Sequence, residues 1–195
     1  GNTVQDNITR LGTVTTGTLG ANVAFNDTHK DIRKDDYILL TFATSAVTFS
    51  SQSEIASSST TLWTEVYKGS NITHPYHPSS TALNGRFKVG KAGLYLVWFS
   101  MHNDGGPSTT LDIKLHRNGL YLDNGGHSSD VAGNYGARSY LESATELEYA
   151  NGGTKIIPVP LNADDYLNLY GMGDCYGDAT NPMGQFGAIR LGDRV

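Results

Sequence analysis

The sequence has only one cysteine, Cys175, so no disulfide can form within the chain. The protein therefore does not belong to the small extracellular domains that depend on disulfide cross-links, although an extracellular location stays open. At 195 residues the chain is long enough to bury a stable core without such cross-links.

Long apolar stretches and clusters of basic residues are also missing. No apolar run approaches the roughly 20 residues that a membrane-spanning helix needs, so we expect no membrane insertion. The formal net charge is −5, and Lys and Arg are scattered along the chain. Binding to a polyanion favours clustered positive charge, so we expect no nucleic-acid partner.

The residue patterns of common enzymes cannot be found either. No Ser-His-Asp order, no placed pair of carboxylates and no phosphate-binding loop is present. Cys175 is flanked by Asp174 and Asp178 rather than by basic residues, so nothing beside it would lower the pKa of its thiol. We therefore expect a protein that is not an enzyme.

What the chain does have is β-forming and turn-forming residues. It contains 23 glycines and 11 tyrosines together with many Thr and Ser, in place of the residues that build helices. About ten short strand-like segments between residues 37 and 191, separated by turn signals, predict an all-β sandwich or barrel. The pair Asn118-Gly119 predicts a tight type I′ hairpin, and the serine-rich stretch 50–61 predicts a polar loop.

One predicted strand, 93–99, is apolar at every position after its glycine. Successive side chains of a strand point to opposite faces, so this strand has no face suited to water and must be covered twice. In a chain with little helical signal, we interpret the second cover as another copy of the same protein.

The first 35 residues differ from the rest. They carry small and β-branched residues punctuated by glycine, with too few large side chains for a core of their own. We therefore predict a short extended stem or linker over 1–35 and a globular head over 36–195.

Four segments of the head together resemble the jelly rolls of the C1q and tumour-necrosis-factor (TNF) family. They are a Gly-x-Phe strand that leads into Gly-Leu-Tyr (85–96), a strand that ends in Asn-Gly (113–119), a Leu-x-x-x-Asp-x-Leu stretch (161–167) with Asp164 where glycine is usual, and a closing Phe-Gly strand (185–191). The resemblance implies a homotrimer of ten-stranded jelly-roll sandwiches with an aromatic core around the threefold axis.

The resemblance also implies which side chains of strand 93–99 form the trimer interface, namely Leu94, Leu96 and Trp98. The alternate residues from Tyr95 to Phe99 would then fill the sandwich. The opposite assignment stays open, because both faces are equally apolar. The chain departs from many family members in having no collagen repeat in its leading segment and no stabilising cysteines.

The leading segment resembles another class of protein. Residues 7–17, Asn-Ile-Thr-Arg-Leu-Gly-Thr-Val-Thr-Thr-Gly, are similar to phrases that recur in phage and viral fibre shafts just before a globular tip. Together the resemblances predict a trimeric knob on the virion surface that binds a host-surface receptor, a glycan or a protein, through apical loops. Two alternatives remain: a cellular or bacterial-surface C1q-like recognition protein or TNF-like ligand, and a purely structural trimerisation cap.

Four aromatic residues fall near predicted loops and are candidates for receptor binding: Trp63, Tyr76, Tyr135 and Tyr176. Exposed aromatic rings stack on sugars and anchor protein partners. The alternative for each is that a tyrosine-rich β-protein has aromatic residues at its strand ends.

One predicted loop carries side chains that suit a metal ion. The stretch 171–181 reads as a loop whose oxygen ligands, above all Asp174 and Asp178, suit calcium. It lacks the fixed ligand spacing of known calcium loops. The alternative is a solvated loop whose carboxylates bond to their own backbone turns, and we expect no other cofactor.

Overall fold

The structure is a computed structural model that describes residues 34–43, 47–56, 62–79, 81–103, 111–122, 138–141, 151–176 and 184–193. All of these residues belong to one unit of the chain, Ile32–Val195. The predicted stem lies outside the described residues except for its last two positions, so the boundary between stem and head stays a prediction.

The described part of the chain is built from strands, with one short 3-10 helix at Lys34–Asp36. The strands are β1 (Tyr37–Phe42), β2 (Val47–Glu54), β3 (Trp63–Lys68), β4 (Ile72–Thr73), β5 (Arg86–Val89), β6 (Gly93–Asn103), β7 (Leu111–Arg117), β8 (Leu120–Tyr121), β9 (Arg138–Leu141), β10 (Asn151–Leu161), β11 (Tyr166–Tyr176) and β12 (Gly184–Gly192). The predicted all-β fold is confirmed. The count of twelve exceeds ten because the strand-like segment from 37 to 49 contributes to two strands, β1 and β2, and because the short strand β4 has no counterpart in the prediction.

The strands form one antiparallel sheet that folds into two layers, joined where β11 pairs with β6 at Cys175 and Asn103. In the first layer the order is β3-β1-β12-β6-β10, and in the second β11 pairs with β5 and β2 along one side and with β7 along the other. The two layers meet in the core, where the ring of Phe87 on β5 lies 4.9 Å from the ring of Phe186 on β12. Each layer therefore has one inner face and one outer face.

Strand β6 shows the alternation that a sandwich strand needs. Tyr95, Val97 and Phe99 are completely buried between the layers. The intervening side chains from Leu94 to Trp98 are only half-buried and lie on the outer face. The predicted inward assignment of Tyr95, Val97 and Phe99 is confirmed.

Two tight turns have the backbone that their residues favour. Asn118 and Gly119 both have positive φ, 54° and 79°, which confirms the predicted type I′ hairpin between β7 and β8. Asp164, which stands where the resembling family has glycine, also has a positive φ of 69°. Aspartate tolerates the left-handed region better than most residues, and the Asp164 carboxylate accepts a hydrogen bond from Lys88 Nζ at 2.7 Å.

The serine-rich stretch 50–61 is only partly a loop. Strand β2 continues to Glu54 and pairs with β11 through Glu54 and Tyr170. The loop prediction is therefore wrong for residues 50–54. Serine side chains are tolerated there because most of β2 is exposed or half-buried, and the backbone supplies the pairing.

Candidate functional site

The outer face of the first layer carries a continuous apolar surface. Two rows of residues cross it in register: Tyr67, Leu39, Gly187, Trp98 and Ile156 form one row, and Tyr37, Ile189, Leu96 and Pro158 form the next. We call these two rows, with Leu94 beside them, the outer apolar face. The three predicted interface residues Leu94, Leu96 and Trp98 are therefore brought together on one surface.

Aromatic rings form the centre of the outer apolar face. The Trp98 ring stacks on Tyr37 at 5.9 Å between centroids, and Tyr37 contacts Tyr67 at 5.1 Å. Gly187 makes room for the indole, because a Cβ at this position would lie 2.3 Å from Cζ2 of Trp98. A shallow hollow of about 350 Å³ opens between Tyr37, Tyr67 and Ile189.

Several side chains of the outer apolar face remain in contact with water. Ile156 is 61 % exposed and Tyr67 is 39 % exposed. A contiguous exposed apolar surface marks an interaction site far more often than scattered apolar residues do. The geometry fits the predicted interface, and that three copies pack on it stays a prediction.

The outer face of the second layer is different in character. Five rings follow one another across it, which we call the aromatic band: Tyr76, Tyr166, Tyr170, His116 and Tyr121. Tyr76 lies 5.5 Å from Tyr166, His116 stacks on Tyr170 at 4.0 Å, and His116 lies 5.7 Å from Tyr121. The rings come from separate parts of the chain, which the pairing of β11, β7 and β8 brings together.

Three cations lie over rings of the aromatic band. Arg86, Lys88 and Lys114 sit 5.4–5.6 Å from ring centroids, at distances typical of cation–π contacts. Each cation is also paired with a carboxylate: Arg86 with Glu54, Lys88 with Asp164, and Lys114 with Asp112. These three pairs leave no net charge among themselves.

The histidine of the band is held in its neutral form. Burial lowers the pKa of His116 below its ordinary value, and the hydrogen bond to the Gly119 carbonyl opposes this only in part. The Nδ1 atom lies 3.2 Å from that carbonyl oxygen. A neutral ring that donates from Nδ1 keeps Nε2 as an acceptor.

A pocket of about 390 Å³ lies at one end of the aromatic band, between β2, β7, β8 and β11. It is lined by Gln52, Lys114, His116, Leu120, Tyr121 and Tyr170. Gln52 donates from Nε2 to the Asp112 carboxylate at 2.8 Å, while its Oε1 is buried with no hydrogen-bond partner among the described residues. A buried acceptor without a partner costs about 1–3 kcal/mol.

The structure separates the four aromatic receptor candidates. Tyr76 belongs to the aromatic band, whereas Tyr176 lies at the other end of β11 from Tyr166, roughly 30 Å away along an extended strand. Tyr135 lies outside the described residues. Tyr76 and Tyr176 therefore do not form one site.

The prediction that Trp63 contacts a receptor is wrong. Its side chain is 1 % exposed, and its Nε1 donates to the carbonyl of Ile55 at 2.8 Å. Its ring packs against Phe42 and Phe186 in the core. Trp63 begins β3 and points between the layers, so it stabilises the fold and offers nothing to a partner.

The stretch around Asp174 is also not the predicted loop. Strand β11 runs to Tyr176, and Asp174 accepts a hydrogen bond from Thr48 Oγ1 at 2.5 Å across the β2–β11 pair. Asp178 lies outside the described residues. Within the described ranges, no group of three His, Cys, Asp or Glu side chains could hold a metal ion, and a calcium site at 171–181 stays a prediction.

The single cysteine lies in the core. Burial raises the pKa of Cys175 to about 12, and the nearby Asp174 charge acts in the same direction. The thiol is therefore protonated at neutral pH and does not have the reactivity of a catalytic thiolate.

Comparisons with known proteins show similarity at the level of structure alone. No protein-family model and no curated protein sequence matches the chain. Among solved structures, the Eiger TNF of S. frugiperda is similar with a TM-score of 0.52 and 16 % identity, over 82 % of this chain and 94 % of that chain. Murine APRIL, in its structure at pH 5.0, is similar with a TM-score of 0.51 and 11 % identity, over 80 % of this chain and 98 % of that chain.

These similarities establish the fold. At such low identity they show that the head is a jelly-roll sandwich like those of the TNF structures, as predicted, and nothing finer. In the part of the chain that the structure describes, no helix is long and apolar enough to cross a bilayer.

Proposed function

We propose that the chain forms the homotrimeric head of a phage or other viral fibre or spike, exposed on the virion, and attaches it to a receptor on the host surface. The observation that carries the proposal is the outer apolar face, which none of the described residues of the head covers. Three copies around a threefold axis would cover the two rows of apolar side chains between Tyr67 and Pro158.

Contact through the face is favoured over pairing at the sheet edges. On β10, Pro158 and Pro160 lack the N–H groups that pairing with a further strand would use. At the opposite edge, β3 has a bulge in its pairing with β1 between Leu39 and Leu40. Bulges and prolines protect sheet edges from pairing with other chains.

Receptor binding would then fall to surfaces that point away from the threefold axis. The aromatic band lies on the outer face of the second layer and would stay open to solvent in such a trimer. Three copies of a weak site on one particle raise the overall affinity through avidity. The viral role itself is supported by the fibre-like phrases of residues 7–17.

A second candidate is a secreted TNF-like ligand that acts outside the cell. It is favoured by the two similar structures, which are named as a TNF and as APRIL. Both candidates share the trimer and the receptor-binding role, and they differ in whose surface is bound.

The test is binding of the fluorescently labelled whole chain to panels of bacterial and animal cells. A viral head of the phage type should bind some bacterial strains and not others, and a monomeric variant should bind at least tenfold more weakly because avidity is lost. Binding to animal cells with no bacterial binding would favour the TNF-like ligand. A stable trimer that binds no cell in either panel would contradict both and leave the structural cap.

A further inference from the structure

We propose that the pocket between β2, β7, β8 and β11 is a binding site for a neutral saccharide. The inference rests on the proposed role as a receptor-binding head, and it adds the place and the chemical class of the receptor group. The proposed site does not lie in the loops that the sequence suggested. Every residue that lines the pocket lies on a strand or in the Asn118-Gly119 hairpin between strands.

The size and lining of the pocket suit one or two sugar rings. Its volume of about 390 Å³ falls within the range of small-molecule sites. The rings of Tyr121, His116 and Tyr170 line it, and Leu120 adds an apolar edge. A pyranose ring has one face of C–H groups that packs on aromatic rings and hydroxyl groups around its rim that need hydrogen-bonding partners.

Polar side chains in the lining can bond to those hydroxyl groups. The amide group of Gln52 is one of them. His116, neutral at pH 7, offers an acceptor at Nε2, and the Lys114 ammonium is a donor. A mostly apolar pocket with a few fixed polar groups is the usual form of a specific small-molecule site.

The charged groups at the pocket favour a neutral sugar over an acidic one. The ammonium of Lys114 already faces the Asp112 carboxylate at 3.3 Å, and that carboxylate is almost completely buried beneath the pocket. A second anion in the pocket would lie close to Asp112 and compete with it for Lys114. A ligand of hydroxyl groups alone avoids that repulsion.

The pocket is also held rigid before any ligand binds. The Asn118 side chain joins the hairpin to the turn before β11, donating to Asp165 at 2.7 Å and accepting from the Tyr166 backbone N–H at 2.9 Å. The stacking of His116 on Tyr170 fixes the rings at the centre. Such preorganisation reduces the entropy that is lost when a ligand binds.

The experiment uses the whole chain on an array of immobilised neutral and acidic oligosaccharides. Titrations with the methyl glycosides of glucose, galactose, mannose and N-acetylglucosamine then measure affinity per protomer. Two variants alter the pocket: Tyr121→Ala removes a ring surface, and Leu120→Arg fills the pocket from an exposed position that the core does not need. The matched control is Thr73→Arg, at an exposed position of β4 that lies outside both the pocket and the outer apolar face.

We expect the wild-type chain to bind neutral saccharides, both pocket variants to bind at least tenfold more weakly, and Thr73→Arg to bind as the wild type does. The proposal is overturned if a folded wild-type chain binds no neutral saccharide, binds acidic saccharides alone, or keeps its affinity in both pocket variants. These outcomes are separate from the proposed function: a trimer that binds host cells yet no saccharide would refute only the sugar site. A chain that binds free sugar as a monomer would refute only the trimeric head.

Discussion

Replacing Ile156 by aspartate tests the role of the outer apolar face in assembly. The side chain is 61 % exposed, so the head does not need it for its own core. Full burial of an isoleucine contributes about 1.5–3 kcal/mol, and covering the exposed part contributes about 1–2 kcal/mol per protomer, or about 3–5 kcal/mol in a trimer. Aspartate loses this contribution and also places an unpaired carboxylate in a dry contact. We therefore expect the trimerisation constant of Ile156→Asp to fall by at least a hundredfold.

The assay is sedimentation equilibrium over a range of protein concentrations, with circular dichroism to show that the variant is folded. The matched control is Leu120→Asp, at a 40 % exposed leucine on the second layer, which should assemble as the wild type does. The reasoning is refuted if folded Ile156→Asp assembles at the same concentration as the wild type. It is also refuted if Leu120→Asp weakens assembly to the same extent.

Three further predictions follow from the described contacts. Trp98→Asp should give monomers or insoluble protein, and a soluble trimer would show that the outward assignment of this strand face is wrong. Gly187→Ala should lower the free energy of unfolding by about 1–3 kcal/mol in urea denaturation, because its Cβ would collide with Trp98 and with backbone. Gly192→Ala, where the added Cβ meets nothing within 4 Å, is its control, and equal stability of the two would contradict the argument. Burial lowers the pKa of His74 below 6.5 in the folded chain, despite its hydrogen bond to Glu65. As the pH falls, the unfolded chain therefore binds a proton at this histidine before the folded chain does. The free energy of unfolding should consequently fall as the pH drops below about 7. His74→Gln should flatten this dependence between about pH 7.5 and about pH 5.5 in the same denaturation assay, and an unchanged slope would contradict it.

Much of the fold could be predicted from the sequence because its signals are local. Apolar and polar residues alternate from Leu111 to His116, and the Asn118-Gly119 turn follows directly. These two local patterns are sufficient to predict the hairpin of β7 and β8. Strand β6 is apolar on both faces, and its inner face was predicted correctly from the family resemblance rather than from the residues alone. The two faces are equally apolar in sequence, and only the packing of the two layers distinguishes them.

The candidate sites were harder to predict, because they depend on contacts between distant residues. Trp63 is followed by polar residues in sequence, and only the position of β3 over the core shows that it is buried. Serines 50, 51 and 53 have little strand propensity, yet β2 forms because β11 offers it a backbone to pair with.

The aromatic band was missed for a related reason. Tyr166 and Tyr170 lie on one face of a predicted strand, and His116 is the last residue on the polar face of another predicted strand. The sequence therefore shows where each ring lies within its own strand. Alternating polar and aromatic residues look the same on any solvent-facing strand. Only the pairing of β7 with β11 brings His116 onto Tyr170 and creates the pocket beside them.

The central claim is that this chain acts as a homotrimer, and the mass of the assembled protein tests it most directly. Native mass spectrometry of the unmodified chain at micromolar concentration should give a single species of three times 21.0 kDa. A folded species of 21.0 kDa under the same conditions would contradict the account, because the outer apolar face would then have no partner.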